Sequence, residues 1–206
     1  HVWLLQRPRS LTDDEKGATL KPPRSKCCVP APSVMEFDAE GNFIQGWGHP
    51  TTTPWVANEH GIHVDRAGFV WIAGNAADDS ALYKFTRDGK PVLTIGKAGP
   101  TGGSNYTTRL GRPADIQVDE AAREVYVADG YGNRRVIVFD SETGAFKRYW
   151  GAYGNKPNDD KQAPYDPAAP RAQQFANPVH CAKPSRDGLV YVCDRVNNRI
   201  QVFKKD

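Results

Sequence analysis

A pattern of short strands and tight turns recurs at intervals of about 50 residues along this chain, and that period excludes most folds before any single residue is interpreted. Its clearest copy runs from Arg112 to Asp140. Arg112-Pro113-Ala114-Asp115-Ile116-Gln117-Val118-Asp119 is followed by Arg123-Glu124-Val125-Tyr126-Val127-Ala128-Asp129, and Gly130-Tyr131-Gly132-Asn133-Arg134 then leads into Arg135-Val136-Ile137-Val138-Phe139-Asp140. Ile116 and Val118 alternate with polar neighbours, Val125 and Val127 do so one hairpin later, and Val136, Val138 and Phe139 mark a third strand. No helical period fits. A fourth strand, Ala145 to Trp150, is entered through Glu142-Thr143-Gly144 and closed by Gly151. Four antiparallel strands in a meander are the unit of a β-propeller blade.

The same unit can be traced through the rest of the chain. Blade one covers 1–48: Val2-Trp3-Leu4-Leu5 reads as a second strand, Ser10 to Pro32 as a polar loop, and Ser33 to Asp38 and Phe43 to Trp47 as the third and fourth, so its inner strand is lacking. Blade two covers 60–97, from His60-Gly61-Ile62-His63-Val64-Asp65 through Phe69 to Gly74, Ala81 to Thr86 and Pro91 to Gly96. Blade three covers 112–151. Blade four covers 178–206, with strands around Val179, Leu189 to Asp194 and Asn198 to Phe203, and lacks its last strand. The expectation is an all-β chain of about fourteen strands in three and a half blades, forming one incomplete domain over 1–206. Such a portion leaves strand edges and a blade face open, to be covered by further blades or by a second copy. The first residue is His1 and the sole methionine is Met35, so the chain reads as a fragment.

Composition narrows function only a little. The basic residues are dispersed, without a run of five, and a net charge of +3 signals no nucleic-acid face. A hydrophobic content of 39% with 25% charged residues describes a globular chain with no membrane segment. The four cysteines fall into two local pairs, Cys27-Cys28 and Cys181 with Cys193. The second pair sits on two strands joined by one turn, which suits either a cross-strand disulfide or buried thiols; disulfides would place the protein in the periplasm or outside the cell.

Three side chains draw attention by position. His60 and His180 occupy the same place in the repeat two blades apart, with Ala114 at that place in the blade between, so both imidazoles should enter the central channel. Tyr131 stands between two glycines in a tight turn, which either exposes its hydroxyl or packs it as a rim aromatic. Arg195 follows Asp194 and could simply bracket that carboxylate, and His63 alternates with Ile62 and Val64 as a strand residue that could line the same channel.

Asp129-Gly130-Tyr131-Gly132-Asn133-Arg134-Arg135 and Cys193-Asp194-Arg195-Val196-Asn197-Asn198-Arg199-Ile200-Gln201-Val202-Phe203 resemble NHL-type repeats. More narrowly, the chain resembles the catalytic domain of the peptidyl-α-hydroxyglycine α-amidating lyases, six-bladed propellers, and bacterial NHL propellers of similar kind. The resemblance implies zinc held by His60 and His180 with a third histidine outside this sequence, a catalytic Tyr131, and Arg7 and Arg195 as active-site arginines. It also implies calcium held in part by backbone oxygen near Ile62. The family's cysteine after the tyrosine is Gly132 here, so the disulfide that would brace the tyrosine loop is absent. The implied activity is cleavage of a carbon–nitrogen bond in a carbinolamide, with a small-molecule or peptide substrate. The alternative is a non-catalytic propeller that presents its loops to a protein or ligand.

Overall fold

The computed structural model describes residues 1–205, and these contain fourteen strands, three short 3₁₀ turns and no α-helix. They divide into two compact units, His1–Trp55 and Val56–Asp206. The first unit is a three-stranded antiparallel sheet, β1 (Val2–Leu5), β2 (Val34–Phe37) and β3 (Phe43–Trp47), in the order β1-β2-β3. The long polar connection between β1 and β2 holds two 3₁₀ turns, Pro8–Ser10 and Gly17–Thr19, and a disulfide between the adjacent Cys27 and Cys28. Arg7 lies at the start of this connection, immediately before the first of those turns.

The second unit holds three antiparallel meanders. They are β4 (Glu59–Val64), β5 (Val70–Gly74), β6 (Ala81–Phe85) and β7 (Pro91–Gly96); β8 (Asp115–Asp119), β9 (Glu124–Asp129), β10 (Arg135–Asp140) and β11 (Phe146–Trp150); and β12 (Val179–Pro184), β13 (Leu189–Asp194) and β14 (Arg199–Lys204). Strands end where an aspartate side chain takes over the backbone's hydrogen bonds. Asp65 accepts from the Phe69 amide at 2.9 Å, Asp38 from the Asn42 amide at 2.7 Å, and Asp140 from the Thr143 amide at 2.8 Å. Each is an Asx-type turn that competes with the ladder. The strands β2 and β4 end just before their aspartates, which the sequence reading included in them, whereas β10 runs through Asp140.

The first strands of successive sheets are spatial neighbours, with β8 set between β4 and β12. That is the arrangement of propeller blades around a channel. Two cores lie between the sheets. Trp71, Ala73, Leu82 and Ile95 pack against Leu110, Ile116, Val125, Val127, Ile137 and Phe139, while Tyr126, Ala128, Val136 and Val138 pack against Phe175, Val179, Ala182, Val190 and Val192. Strand β9 therefore sends Val125 and Val127 to one core and Tyr126 and Ala128 to the other, and all six of its residues are buried. In β13 burial alternates instead, because only one face is covered: Val190 and Val192 are buried, whereas Tyr191 on the other face is exposed. Ile200 and Val202 of β14 are exposed at 65% and 51%.

Candidate functional site

Two β-bulges create the site. Glu59 pairs with Gly74 and Gly61 with Ala73, leaving His60 as the extra residue; Val179 pairs with Asp194 and Cys181 with Cys193, leaving His180 as the extra residue. A bulged residue is released from the strict in-and-out alternation of a strand, so its side chain can be re-aimed. Both imidazoles point to one atom. His60 Nε2 lies 3.0 Å from the Tyr131 hydroxyl and His180 Nε2 lies 3.2 Å from it, with the two imidazole centroids 5.6 Å apart. On its other side His60 Nδ1 is 3.0 Å from the carbonyl oxygen of Ala114. A carbonyl can only accept, so the proton of neutral His60 sits on Nδ1 and Nε2 offers a lone pair to the Tyr131 O–H. Burial, followed by repulsion from Arg195, moves the His180 pKa below its ordinary value, although Asp115 opposes the shift. The ring is therefore neutral near pH 7, the form that ligates a metal.

Tyr131 is placed by the loop between β9 and β10, and the sequence Gly130-Tyr131-Gly132 is what admits that loop. A β-carbon at Gly130 would collide with the backbone of Val179, and one at Gly132 would lie 2.9 Å from the Gly111 carbonyl oxygen. The loop is tied at both ends to buried Asp129. This carboxylate accepts from the Gly111 amide at 2.6 Å, Asn133 Nδ2 at 2.7 Å and Arg135 Nε at 2.8 Å, and Arg135 further donates to the carbonyls of Ser104, Tyr106 and Arg109. Asp194 repeats the device with the Ala176 amide, Asn197 and Arg199. In the preceding blade Gly74 replaces the aspartate, and Asp79 supplies the carboxylate from the adjoining loop to the amides of Ala57, Asn58 and Ala76. The Gly132 amide also donates to Gly111 O at 2.7 Å. Hydrogen bonds thus fix the tyrosine loop without a disulfide.

The Arg195 guanidinium carbon lies 5.8 Å from the Tyr131 ring centroid, and that of Arg112 lies 5.9 Å from it. Arg195 does not bracket Asp194, which is occupied by Arg199 and Asn197. Arg112 is a site residue that the sequence reading does not include; it lies three residues ahead of β8, the inner strand of the blade whose loop carries Tyr131. His63 receives the Val118 amide at 3.4 Å, so it joins β4 to β8 apart from the histidine pair. Ile62 sits two residues beyond the bulge, paired with Ile72. Cys181 and Cys193 face each other in register and form a disulfide, tying the strand that carries His180 to the one that leads to Arg195. Arg7 belongs to the other unit.

Sequence comparison agrees with the blades. No family model matches the chain. Mouse NHL repeat-containing protein 3 is 29% identical over 184 residues, which is 85% of this chain and 46% of that protein. The chain is an NHL-repeat protein. The frog (Xenopus laevis) peptidyl-glycine alpha-amidating monooxygenase B is 32% identical over 148 residues, covering 70% of this chain and 15% of that protein, and the rat peptidylglycine alpha-amidating monooxygenase is 30% identical over 149 residues, covering 71% and 14%. The NHL-repeat chain therefore spans less than half the length of the curated relatives it matches.

Proposed function

We propose that this chain carries part of the active site of a lyase that breaks the carbon–nitrogen bond of a carbinolamide such as a peptidyl-α-hydroxyglycine. The observation that carries the reading is the convergence of His60 Nε2 and His180 Nε2 on the Tyr131 hydroxyl. The donor set suits zinc, which accepts imidazole nitrogen readily, and the Ala114 carbonyl behind His60 accepts from Nδ1 and so fixes the ring with Nε2 free to ligate. Among the described residues no cluster of three or more histidine, cysteine or carboxylate ligands occurs, so His60 and His180 would form two ligands of a larger set. Bound there, zinc would polarise the substrate's hydroxyl or carboxylate.

The chain's own groups then divide the work. Arg195 holds the substrate carboxylate. As the carbon–nitrogen bond breaks, its electron pair stays with the amide nitrogen. Tyr131 gives that nitrogen its proton and takes the carbinol proton in exchange, so the phenol is regenerated. The products are a primary amide and glyoxylate, without any change in redox state. Calcium near the Ile62 backbone would be a structural ion in this reading. The Cys27–Cys28 and Cys181–Cys193 disulfides support assignment to the periplasm or the extracellular space. Among the described residues no helix is long and apolar enough to cross a membrane.

The alternative is a non-catalytic propeller acting as a binding scaffold. It is favoured by the longer match, over 184 residues, to a relative named only for its repeats, and by the exposed apolar residues Tyr191, Ile200 and Val202. Incubation with a peptidyl-α-hydroxyglycine and zinc separates the two. The lyase reading expects glyoxylate and peptide amide in equal amounts, reduced about 100-fold or more in Tyr131→Phe. Release no faster than without protein leaves the scaffold.

A further inference from the structure

Arg112 holds a conformation that its place in the repeat does not require. Its φ is +57°, in the left-handed region that disfavours side chains other than glycine. The surroundings enforce that backbone. The Arg112 amide donates to Asp79 O at 3.0 Å, and Arg112 O receives the Tyr131 amide at 3.2 Å, so arginine and tyrosine are joined main chain to main chain. Arg112 Nε donates to Asn75 O at 2.8 Å, which turns the guanidinium toward the Tyr131 ring. Its two terminal nitrogens have no carboxylate or carbonyl partner among the described residues, and neither has the Arg195 guanidinium. In contrast, Arg135, Arg148 and Arg199 are each paired with a carboxylate. Asp115, the acid whose field reaches His180, is already taken by Lys183 Nζ at 2.9 Å and the Ala182 amide at 3.2 Å. The two arginines beside Tyr131 therefore form a positively charged, unneutralised patch, with the terminal edge of the Arg112 fork open.

We propose that Arg112 is an anion-binding residue that, together with Arg195, holds the carboxylate of a small 2-hydroxy acid group beside the Tyr131 hydroxyl. A guanidinium fork matches a carboxylate bidentately, and its orientation is prepaid here by the Asn75 carbonyl and the enforced backbone. This deepens the lyase reading, on which the choice of substrate rests, but anion binding is measurable without turnover.

The test is calorimetric titration of the chain with glycolate, a stable 2-hydroxy carboxylate, against glycolamide, its neutral counterpart. Glycolate should bind and glycolamide should bind at least about 10-fold more weakly. Arg112→Gly should weaken glycolate by about 10- to 100-fold, and Arg112→Lys, which keeps the charge but loses the fork, should fall between. The melting temperature of Arg112→Gly should stay at or above that of the unaltered chain, since glycine suits the left-handed conformation. No glycolate binding by the unaltered chain, undiminished binding in Arg112→Gly, or binding lost only in step with a large drop in melting temperature would each overturn the proposal. Failure of the lyase reading looks different: Arg112-dependent glycolate binding without glyoxylate release leaves this inference standing. Release with an unchanged KM in Arg112→Gly leaves the lyase and removes the role of Arg112.

Discussion

Adding one methyl group at position 130 should unseat the candidate site, and its effect can be worked from the contact it would make. Gly130 has an ordinary backbone conformation, so alanine there carries no φ penalty and would by itself stabilise the chain by about 0.4–1 kcal/mol through the unfolded state. The new β-carbon, however, would lie 2.6 Å from the Val179 carbonyl carbon and closer still to the Val179 oxygen and nitrogen. Carbon–carbon contact is comfortable only beyond about 3.5 Å, so β12 must retreat by roughly 1 Å. The obstacle is backbone in a fully buried strand junction, which no rotamer change relieves. Overpacking of this kind costs about 1–3 kcal/mol, and the upper part of that range applies. Because Val179 immediately precedes His180, the retreat also draws His180 away from Tyr131. Urea unfolding should show a lower midpoint for Gly130→Ala with an unchanged m-value. A midpoint equal to or above that of the unaltered chain would mean that β12 is not held where the argument places it.

Asp129→Ala leaves Arg135 as an uncompensated buried charge and should destabilise the chain by about 3–5 kcal/mol in urea unfolding; a loss under 1 kcal/mol would show that the brace is not needed. Burial works against ionisation of Glu124, but two hydrogen bonds from Arg148, at 2.6 and 2.8 Å, and one from Tyr126 hold its pKa at about 2, below its ordinary 4.5. A depressed carboxylate stabilises fully above its unfolded pKa, so up to about 3 kcal/mol should be lost as pH falls from 4.5 toward 2, with a flatter acid limb in Glu124→Gln. Identical pH slopes in the two proteins would contradict that linkage. The Cys181–Cys193 loop has a sequence separation of 12 residues, so the double change to serine should lower stability by about 3 kcal/mol; a midpoint unmoved by it would show that the strands need no tie.

The blades were legible because short strands are set off by the aspartates and glycines that mark each turn; that β9 and β10 are buried on both faces, so that Tyr126 and Ala128 are as apolar in setting as Val125 and Val127, was not read from the alternation. His60 and His180 could be singled out from their common place in the repeat. What the sequence did not display is the pair of bulges, since a bulge changes register without altering residue type. Arg112 escaped for a similar reason. An arginine before a proline gives no sign of a left-handed backbone, and its approach to Tyr131 depends on a contact between residues 19 positions apart. The anchoring of the tyrosine loop was likewise hidden, because Asp129 and Arg135 read as ordinary strand-end charges although both are fully buried.

The central claim is that His60 and His180 are two ligands of one metal position. Zinc titration followed through the imidazole Cε1–H signals of the two histidines in NMR spectra tests it most directly. Both signals should shift together along one binding curve, and His60→Ala should abolish the zinc response of His180, as His180→Ala should that of His60. Two signals that titrate independently, or that do not respond at all, would contradict the account.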